Sequence, residues 1–224
     1  MGLKTPVPEV PGAMGQAFVD MPRIPRQQYV QPNGYYHIIS RTINQAVILK
    51  DSDDFGHFKT LMRQAKQQFP LLLFHYALMG THFHFVVQAL QPDDLSGHLR
   101  YLKWYYTQWA RKKYEWKGPL WRERYRSLPI EDERYLAACG LYVELNPVRA
   151  GLCQEPAEYA FSSARKHYFG TLDDLVDEYT TLGPSDALLS VAREPTIADW
   201  VFNQSPAIGS ESFVKQHLNL SACP

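Results

Sequence analysis

The sequence predicts an α+β domain: a ferredoxin-like split βαβ antiparallel sheet followed by one added helix. Two observations predict it. Strand-like and helix-like patterns follow one another over residues 35–130 in the order strand, helix, strand, strand, helix, strand, which is the order of that sheet. A further helical pattern comes directly afterwards, from about Asp132 to Leu145. The fold class alone specifies no function.

The 224 residues divide into three predicted parts. Residues 1–34 hold six prolines and little periodicity, which is typical of an extended arm. Residues 35–170 form the predicted domain, and residues 171–224 a tail with short helices, one of them from Ser210 to Leu218. The composition, 45% hydrophobic and 21% charged, is that of a globular protein.

Two classes of protein are disfavoured, membrane-spanning proteins and secreted proteins. No apolar stretch approaches the roughly 18 to 20 residues that cross a bilayer, and the start of the chain lacks the apolar block of a secretion signal. We therefore expect a cytoplasmic protein with no membrane partner. The cysteines, Cys139, Cys153 and Cys223, are odd in number and lack metal-ligand spacing, so they predict free thiols.

The first half of the domain is predicted from short apolar runs. Tyr35 to Asn44 is rich in aromatic and β-branched residues, which indicates a strand. A helix follows, capped by Asp51 or Ser52 and closed by Pro70. Two apolar runs separated by Gly80 and Thr81 then predict a tight hairpin, Leu71 to Met79 and His82 to Ala89.

The second half begins with a long amphipathic helix predicted from about Asp93 to Tyr114. Gly118 to Ile130 indicates a further strand or hairpin. The last helix, from about Asp132 to Leu145, is expected to stop at Pro147.

Charge is balanced overall, with 23 basic and 23 acidic residues, but it is unevenly placed. From Gly97 to Ser127 there are nine lysines or arginines against two acids, interleaved with tyrosines and tryptophans. Such a pattern is typical of surfaces that contact phosphates and stack on bases. It fits a solvated helix face over an aromatic core equally well.

His82 and His84 are two apart on the second strand of the predicted hairpin. Side chains two apart share a face, so both imidazoles point one way while Phe83, Phe85 and Val87 point into the core. Imidazoles about 7 Å apart at their Cα atoms can bind one metal ion. For an isolated pair, two partly exposed strand histidines without a ligand are the favoured interpretation.

Tyr142 and Asn146 are neighbours one turn apart on the last predicted helix. A phenol and an amide oxygen can therefore meet at one point. Taken singly, each residue also fits a structural role: a packed tyrosine ring, and a helix C-terminal asparagine before Pro147.

Together these residues describe a device for phosphodiester transfer. Two imidazoles and an amide oxygen are neutral ligands that leave a hard divalent ion open positions for a phosphate oxygen and water. The tyrosine would attack the phosphate in line and become joined to the strand. A phenol has a pKa near 10 and must lose its proton during attack, and the sequence names no acceptor for it.

Two segments carry a family resemblance. Residues 76–87, YALMGTHFHFVV, resemble the metal-binding strand of the single-tyrosine HUH transposases, and residues 142–151, YVELNPVRAG, resemble their nucleophile helix. The resemblance extends over about residues 22–170 and is nearest to the REP-associated tyrosine transposases. Relatives usually have Pro-Asn where this chain has Gly80 and Thr81.

The resemblance implies a ferredoxin-like domain that cleaves and rejoins single-stranded DNA carrying a hairpin, with the last helix as the nucleophile helix. It makes Tyr142 the nucleophile of a 5′-phosphotyrosine intermediate. It assigns His82, His84 and Asn146 as ligands of Mg²⁺ or Mn²⁺. Relatives include monomers and homodimers, so the oligomeric state stays open.

The DNA contacts are predicted from position. Alternation along the predicted strand would make its arginines project together toward phosphates, and two aromatic side chains off the apolar line of their helix would stack on bases. These candidates are Arg122, Arg124, Arg126, Trp104 and Tyr101.

Two other hypotheses stay open. A domesticated, non-catalytic DNA- or RNA-binding regulator would use only the basic aromatic window. A metallohydrolase, in which a metal-bound water attacks, would need the histidines but not the tyrosine.

Overall fold

A computed structural model describes residues 30–178 and 205–221, the side chains of 218–221 excepted. Four strands form one sheet in the order β2-β3-β1-β4, and each neighbouring pair is antiparallel. This is the predicted α+β fold with the split βαβ order, so the predicted fold class is confirmed. The strands are β1 Gly34–Arg41, β2 Leu72–Met79, β3 His82–Ala89 and β4 Arg126–Ile130.

Two of the helices, α1 and α3, begin at an aspartate that caps them. The Asp51 side chain accepts a hydrogen bond from the Asp54 amide, and the Asp132 side chain accepts one from the Tyr135 amide, satisfying backbone donors that have no partner within the helix. The helices are α1 Ser52–Gln68, α2 Pro92–Tyr114, α3 Glu133–Glu144, α4 Asn146–Arg149, α5 Ala164–Phe169 and α6 Glu211–Ser221, with 3₁₀ turns at Ile43–Gln45 and Pro156–Glu158.

Both faces of the sheet are covered. Phe83, Phe85 and Val87 of β3 lie in a core with α1 and α2, as predicted. Val86 lies in a second core that includes residues of α3. Since α3 covers the second face, the side chains that the middle of β3 sends there, His84 and Val86, are buried as well, whereas His82 at the start of the strand stays partly exposed. This is why His84 is buried and not exposed on an open strand.

Three predicted boundaries were wrong. The first strand ends at Arg41, because Asn44 and Gln45 adopt positive φ in the 3₁₀ turn. Of the predicted strand or hairpin at 118–130, only β4 is a strand. Pro147 does not stop the helical path, because it occupies the first turn of α4, where its missing N–H costs nothing.

The tail covers the edge of the sheet. Ile208 forms a parallel bridge with Ile130, and its amide donates to the Pro129 carbonyl at 2.8 Å. An edge strand covered in this way is protected from pairing with another chain. The predicted tail helix is confirmed as α6, whereas most of the predicted arm, residues 1–29, lies outside the described residues.

Among the described residues, none of the helices has the length and apolar character needed to span a membrane. Cys139 and Cys153 are free thiols as predicted, while Cys223 lies outside the described part of the chain.

Candidate nuclease cleft

A cleft of about 770 Å³ opens where the ends of β1 and β3 meet α4. His82 and His84 enter it from β3, and Asn146 enters it from the first position of α4. Thus residues far apart in the sequence share one cavity. The remaining lining residues are Arg41, Thr42, Ile43, Asn44, Gln45, Met79, Thr81, Arg122, Arg149 and Ala150.

The two imidazoles converge, with ring centroids 5.0 Å apart. The Nδ1 atom of His82 forms a hydrogen bond with Thr81 Oγ1 at 2.9 Å, which leaves its Nε2 for a ligand. Burial lowers the pKa of His82 to about 4, and the positive charge of Arg41 adds to the effect. Burial also places the pKa of His84 well below its ordinary value. Both rings are therefore neutral at pH 7, which is the form that binds metal.

The orientation of the Asn146 amide is fixed by its own helix. Its Nδ2 donates to the carbonyls of Tyr142 at 2.9 Å and Val143 at 3.3 Å. With both donors directed at the backbone, the amide oxygen is the acceptor that remains for the cleft.

His37 on β1 is a residue that the sequence did not single out. Its Nε2 forms a 2.9 Å hydrogen bond with Nδ1 of His84, and the two rings stack. Burial, helped by the charge of Arg126, lowers the pKa of His37 to about 3. A partner on one ring nitrogen fixes the orientation of a ligating histidine. The available signal was register, because antiparallel pairing places His37 of β1 opposite Val86, two residues from His84 on the same face of the sheet.

Tyr142 lies behind the cleft with 0% of its surface exposed. Its ring meets His37 edge-on at a centroid distance of 6.4 Å. The Arg149 guanidinium covers the ring at 4.4 Å and donates to the Tyr142 carbonyl at 3.2 Å. Burial raises the pKa of Tyr142, and the charge of Arg149 acts in the opposite direction.

The donor set fits a divalent ion. Two neutral imidazoles with their Nδ1 atoms already engaged, and one oriented amide, offer two nitrogens and one oxygen. Mn²⁺ tolerates both kinds of donor, and Mg²⁺ prefers the oxygen and added water. No carboxylate lines this cavity among the described residues, so a phosphate is not repelled there.

The predicted DNA-contact residues fall in three places. Arg122 lines the cleft, and its amide donates to the Arg41 carbonyl at 3.0 Å. Arg124 is exposed in an irregular segment, and Arg126 is half-buried, donating to the Ser205 carbonyl at 2.7 Å. The prediction that these three arginines alternate along one strand was wrong, because β4 begins only at Arg126.

The predicted stacking residues lie elsewhere. Trp104, 61% exposed, and Tyr101 line a shallow groove on α2 together with Arg100 and Tyr105. None of the residues described as lining that groove lines the cleft.

The fold and the cleft define an α+β domain with paired strand histidines, and known proteins are similar to this chain in sequence and in fold. The family described as IS200-like transposases matches residues 30–146, about half of the chain. The chain therefore belongs to the IS200-like transposase family, and the predicted relationship to REP-associated tyrosine transposases is confirmed.

Two known proteins, one similar in sequence and one similar in structure, are both REP-associated tyrosine transposases by name. A protein of Haemophilus influenzae, named for the REP-associated tyrosine transposases, is 24% identical over 123 residues, covering 50% of this chain and 69% of the relative. The structure of a REP-associated tyrosine transposase bound to a REP hairpin superposes with a TM-score of 0.53 at 17% identity. It covers 69% of this chain and 94% of that one, and shares the fold.

Proposed function

We propose that the chain cleaves and rejoins single-stranded DNA that carries a hairpin, through a covalent 5′-phosphotyrosine formed by Tyr142. The observation that carries the proposal is the meeting of His82, His84 and Asn146 in one cleft, with Tyr142 one helical turn before Asn146. Membership of a transposase family supports this chemistry over the two alternatives.

The proposed cofactor is Mg²⁺ or Mn²⁺, held by His82, His84 and Asn146. When bound, such an ion polarises the phosphate and offsets the charge that develops in the transition state. His37 positions His84 through the hydrogen bond between their rings. The other roles in the proposed reaction belong to protein side chains.

In the proposed step the Tyr142 oxygen attacks phosphorus, and the bond from phosphorus to the 3′ oxygen breaks. The phenol loses a proton and the departing 3′ oxygen gains one, so protons balance. Because Tyr142 is 0% exposed and the Arg149 guanidinium covers its ring, the phenol must become accessible before attack, and we propose that Arg149 moves to expose it. A phosphate that enters the cleft offers Arg149 a competing charge.

The proposed substrate follows from the relative and from the surface. The structure bound to a REP hairpin supports a hairpin-bearing single strand. Arg41, Arg122 and Arg149 line the cleft and would contact phosphates around the scissile bond. The exposed groove at Tyr101 and Trp104 offers flat rings for unpaired bases.

The test uses a labelled hairpin oligonucleotide and compares Tyr142→Phe with Tyr135→Phe on the same helix. We expect Tyr142→Phe to lower cleavage by at least about 10³-fold and to abolish the covalent adduct on a denaturing gel. Binding measured by fluorescence anisotropy should persist, and Tyr135→Phe should behave as wild type.

The same assay separates the alternatives. Cleavage that survives Tyr142→Phe but is lost with EDTA would favour the metallohydrolase. Binding without any cleavage, indifferent to EDTA and steeply dependent on salt, would favour the regulator.

A further inference from the structure

A second group of ligating side chains lies at the C-terminal end of α3, outside the cleft. Glu144 ends α3 and is 1% exposed. Its Oε1 accepts from Nδ1 of His75 at 2.9 Å and from Nδ1 of His167 at 2.5 Å. It also accepts from Ser163 Oγ at 2.6 Å. One carboxylate thus gathers side chains from β2, α5 and the residue before α5.

The backbone is shaped to admit this group. A Cβ at Gly140 would overlap the His75 ring, so glycine lets that ring lie directly against α3, one turn before Glu144. The ring centroids of His75 and His167 are 4.3 Å apart. The ligand atoms of His75, Glu144 and His167 all lie within 4.8 Å of one another.

Hydrogen bonding leaves this carboxylate incompletely satisfied. Three donors converge on Oε1, whereas Oε2 is buried and has no hydrogen-bond partner among residues 30–178 and 205–221. Within that part of the chain, no lysine or arginine forms an ion pair with Glu144. A buried carboxylate lacking a full countercharge is costly, and a cation offsets the cost.

We propose that His75, Glu144 and His167 form a second metal site, for a divalent transition-metal ion of the zinc type. Two imidazole nitrogens and one carboxylate are a donor set that zinc commonly takes. Ligand atoms lie roughly 3.3 Å apart around tetrahedral zinc, so a small opening of the present contacts admits the ion. The His167 side chain is 23% exposed and gives access from the surface.

This site joins three elements and has no part in the chemistry. Its carboxylate comes two residues after Tyr142. The bound ion would fix the end of α3 to β2 and α5, and so hold the nucleophile helix against the sheet. The proposal does not depend on DNA cleavage, and its test is made without DNA.

The experiment measures metal binding to the full chain after chelator treatment and dialysis. Co²⁺ serves as the spectroscopic probe, and Zn²⁺ content is measured by elemental analysis. We expect wild type to bind a second equivalent beyond that of the cleft. His167→Gln and Glu144→Gln should each lose the second equivalent and the tetrahedral Co²⁺ absorption. His82→Ala should keep the second equivalent and that absorption.

His57→Gln is the matched control, a partly exposed histidine of α1 that stacks on Trp109, and it should bind as wild type. Circular dichroism confirms that each variant is folded, and thermal unfolding with and without Zn²⁺ gives a second readout. Unchanged binding in both His167→Gln and Glu144→Gln would overturn the proposal. A wild-type chain whose only equivalent is removed by His82→Ala would overturn it too.

Discussion

Among the residues that the structure describes, each face of the sheet buries one carboxylate, and the two have different hydrogen-bond partners. Asp54 on α1 is 0% exposed and uses both oxygens. Oδ1 accepts from Lys113 Nζ at 2.9 Å and from Trp109 Nε1, and Oδ2 accepts from the Tyr114 hydroxyl and the Lys50 amide. Glu144, on the face covered by α3, keeps one oxygen without a described partner.

This difference distinguishes a buried carboxylate that serves only the stability of the fold, which we call a framework residue, from one that can also bind a ligand. A buried charge with a cation and a donor for every lone pair is fully accounted for by folding. A buried carboxylate or imidazole that keeps an unused hydrogen-bonding atom is a candidate for binding a ligand. On the α3 face both Glu144 Oε2 and His37 Nδ1 are in that condition among the described residues.

The largest effect on cleavage is expected when a buried histidine on the α3 face is replaced, and the control is the same replacement on the face covered by α1 and α2. His84→Gln should lower hairpin cleavage by about 10³-fold, because it removes an imidazole proposed to bind the metal ion where charge develops. The matched control is His98→Gln on α2, whose ring is buried and bonded to the Phe69 carbonyl. Both variants should lose about 1 kcal/mol in the free energy of unfolding.

Urea unfolding measures the free energy of unfolding of each variant, and a single-turnover assay measures its rate of cleavage. If His98→Gln lowered cleavage as much as His84→Gln, the two faces would not differ in the way described.

A smaller but firm effect is expected for Asp54→Asn. The amide presents one oxygen where the carboxylate presents two, and it leaves Lys113 without its buried partner. The free energy of unfolding should fall by about 3 kcal/mol, measured by urea unfolding. Cleavage per folded molecule should stay at the wild-type rate. The neighbouring exposed Asp53→Asn should change stability by less than about 0.5 kcal/mol.

The difference in stability between wild type and Asp54→Asn should depend on pH, and the direction of that dependence follows from the pKa of Asp54. Burial acts to raise the pKa of Asp54, but the hydrogen bonds from Tyr114, Lys50 and Lys113 outweigh it and hold the pKa below its ordinary value. A lowered folded pKa contributes stability above the unfolded value, about 3.9, and that stability is lost as pH falls through the folded pKa. A gap between wild type and variant that stayed constant into acid would contradict this account.

The sequence predicted what local chemistry controls. The cap at Asp51, the hairpin at Gly80 and the shared face of His82 and His84 depend on neighbouring residues, and each was predicted from them. The burial of His84 was not predicted, because alternation along a strand does not say that a helix covers the other face. Tertiary packing supplied that information.

The proposed second metal site could not be predicted from local sequence pattern, for the same reason. His75 and His167 precede and follow Glu144 by 69 and 23 residues, so no spacing rule joins them. One signal was present: Glu144 is a carboxylate within an apolar helical run, between Val143 and Leu145. Such a residue is rarely buried without a partner. Among the described residues, the segment from Trp121 to Tyr125 forms one isolated bridge, between Trp121 and Thr42 just after β1, and therefore does not continue the sheet as a strand.

The smallest effect should come from Arg149, which lines the cleft yet is engaged by Tyr142 as a framework residue would be. Arg149→Met keeps the length of the side chain and removes its charge. If Arg149 leaves Tyr142 for an incoming phosphate, cleavage should fall about tenfold, and the slope of DNA affinity against salt should fall by about one. Anisotropy titrations over a salt series measure that slope.

The matched control for Arg149→Met is Arg165→Met, since Arg165 also donates to one backbone carbonyl, that of Ala157 at 2.9 Å, but lies outside the residues that line the cleft. It should leave both the cleavage rate and the salt slope unchanged. A cation over a ring contributes about 1 kcal/mol, so Arg149→Met should lower the free energy of unfolding by no more than that. A variant that lost stability while cleaving normally, with an unaltered salt slope, would place Arg149 with Asp54 in the framework and leave the exposure of Tyr142 to some other movement.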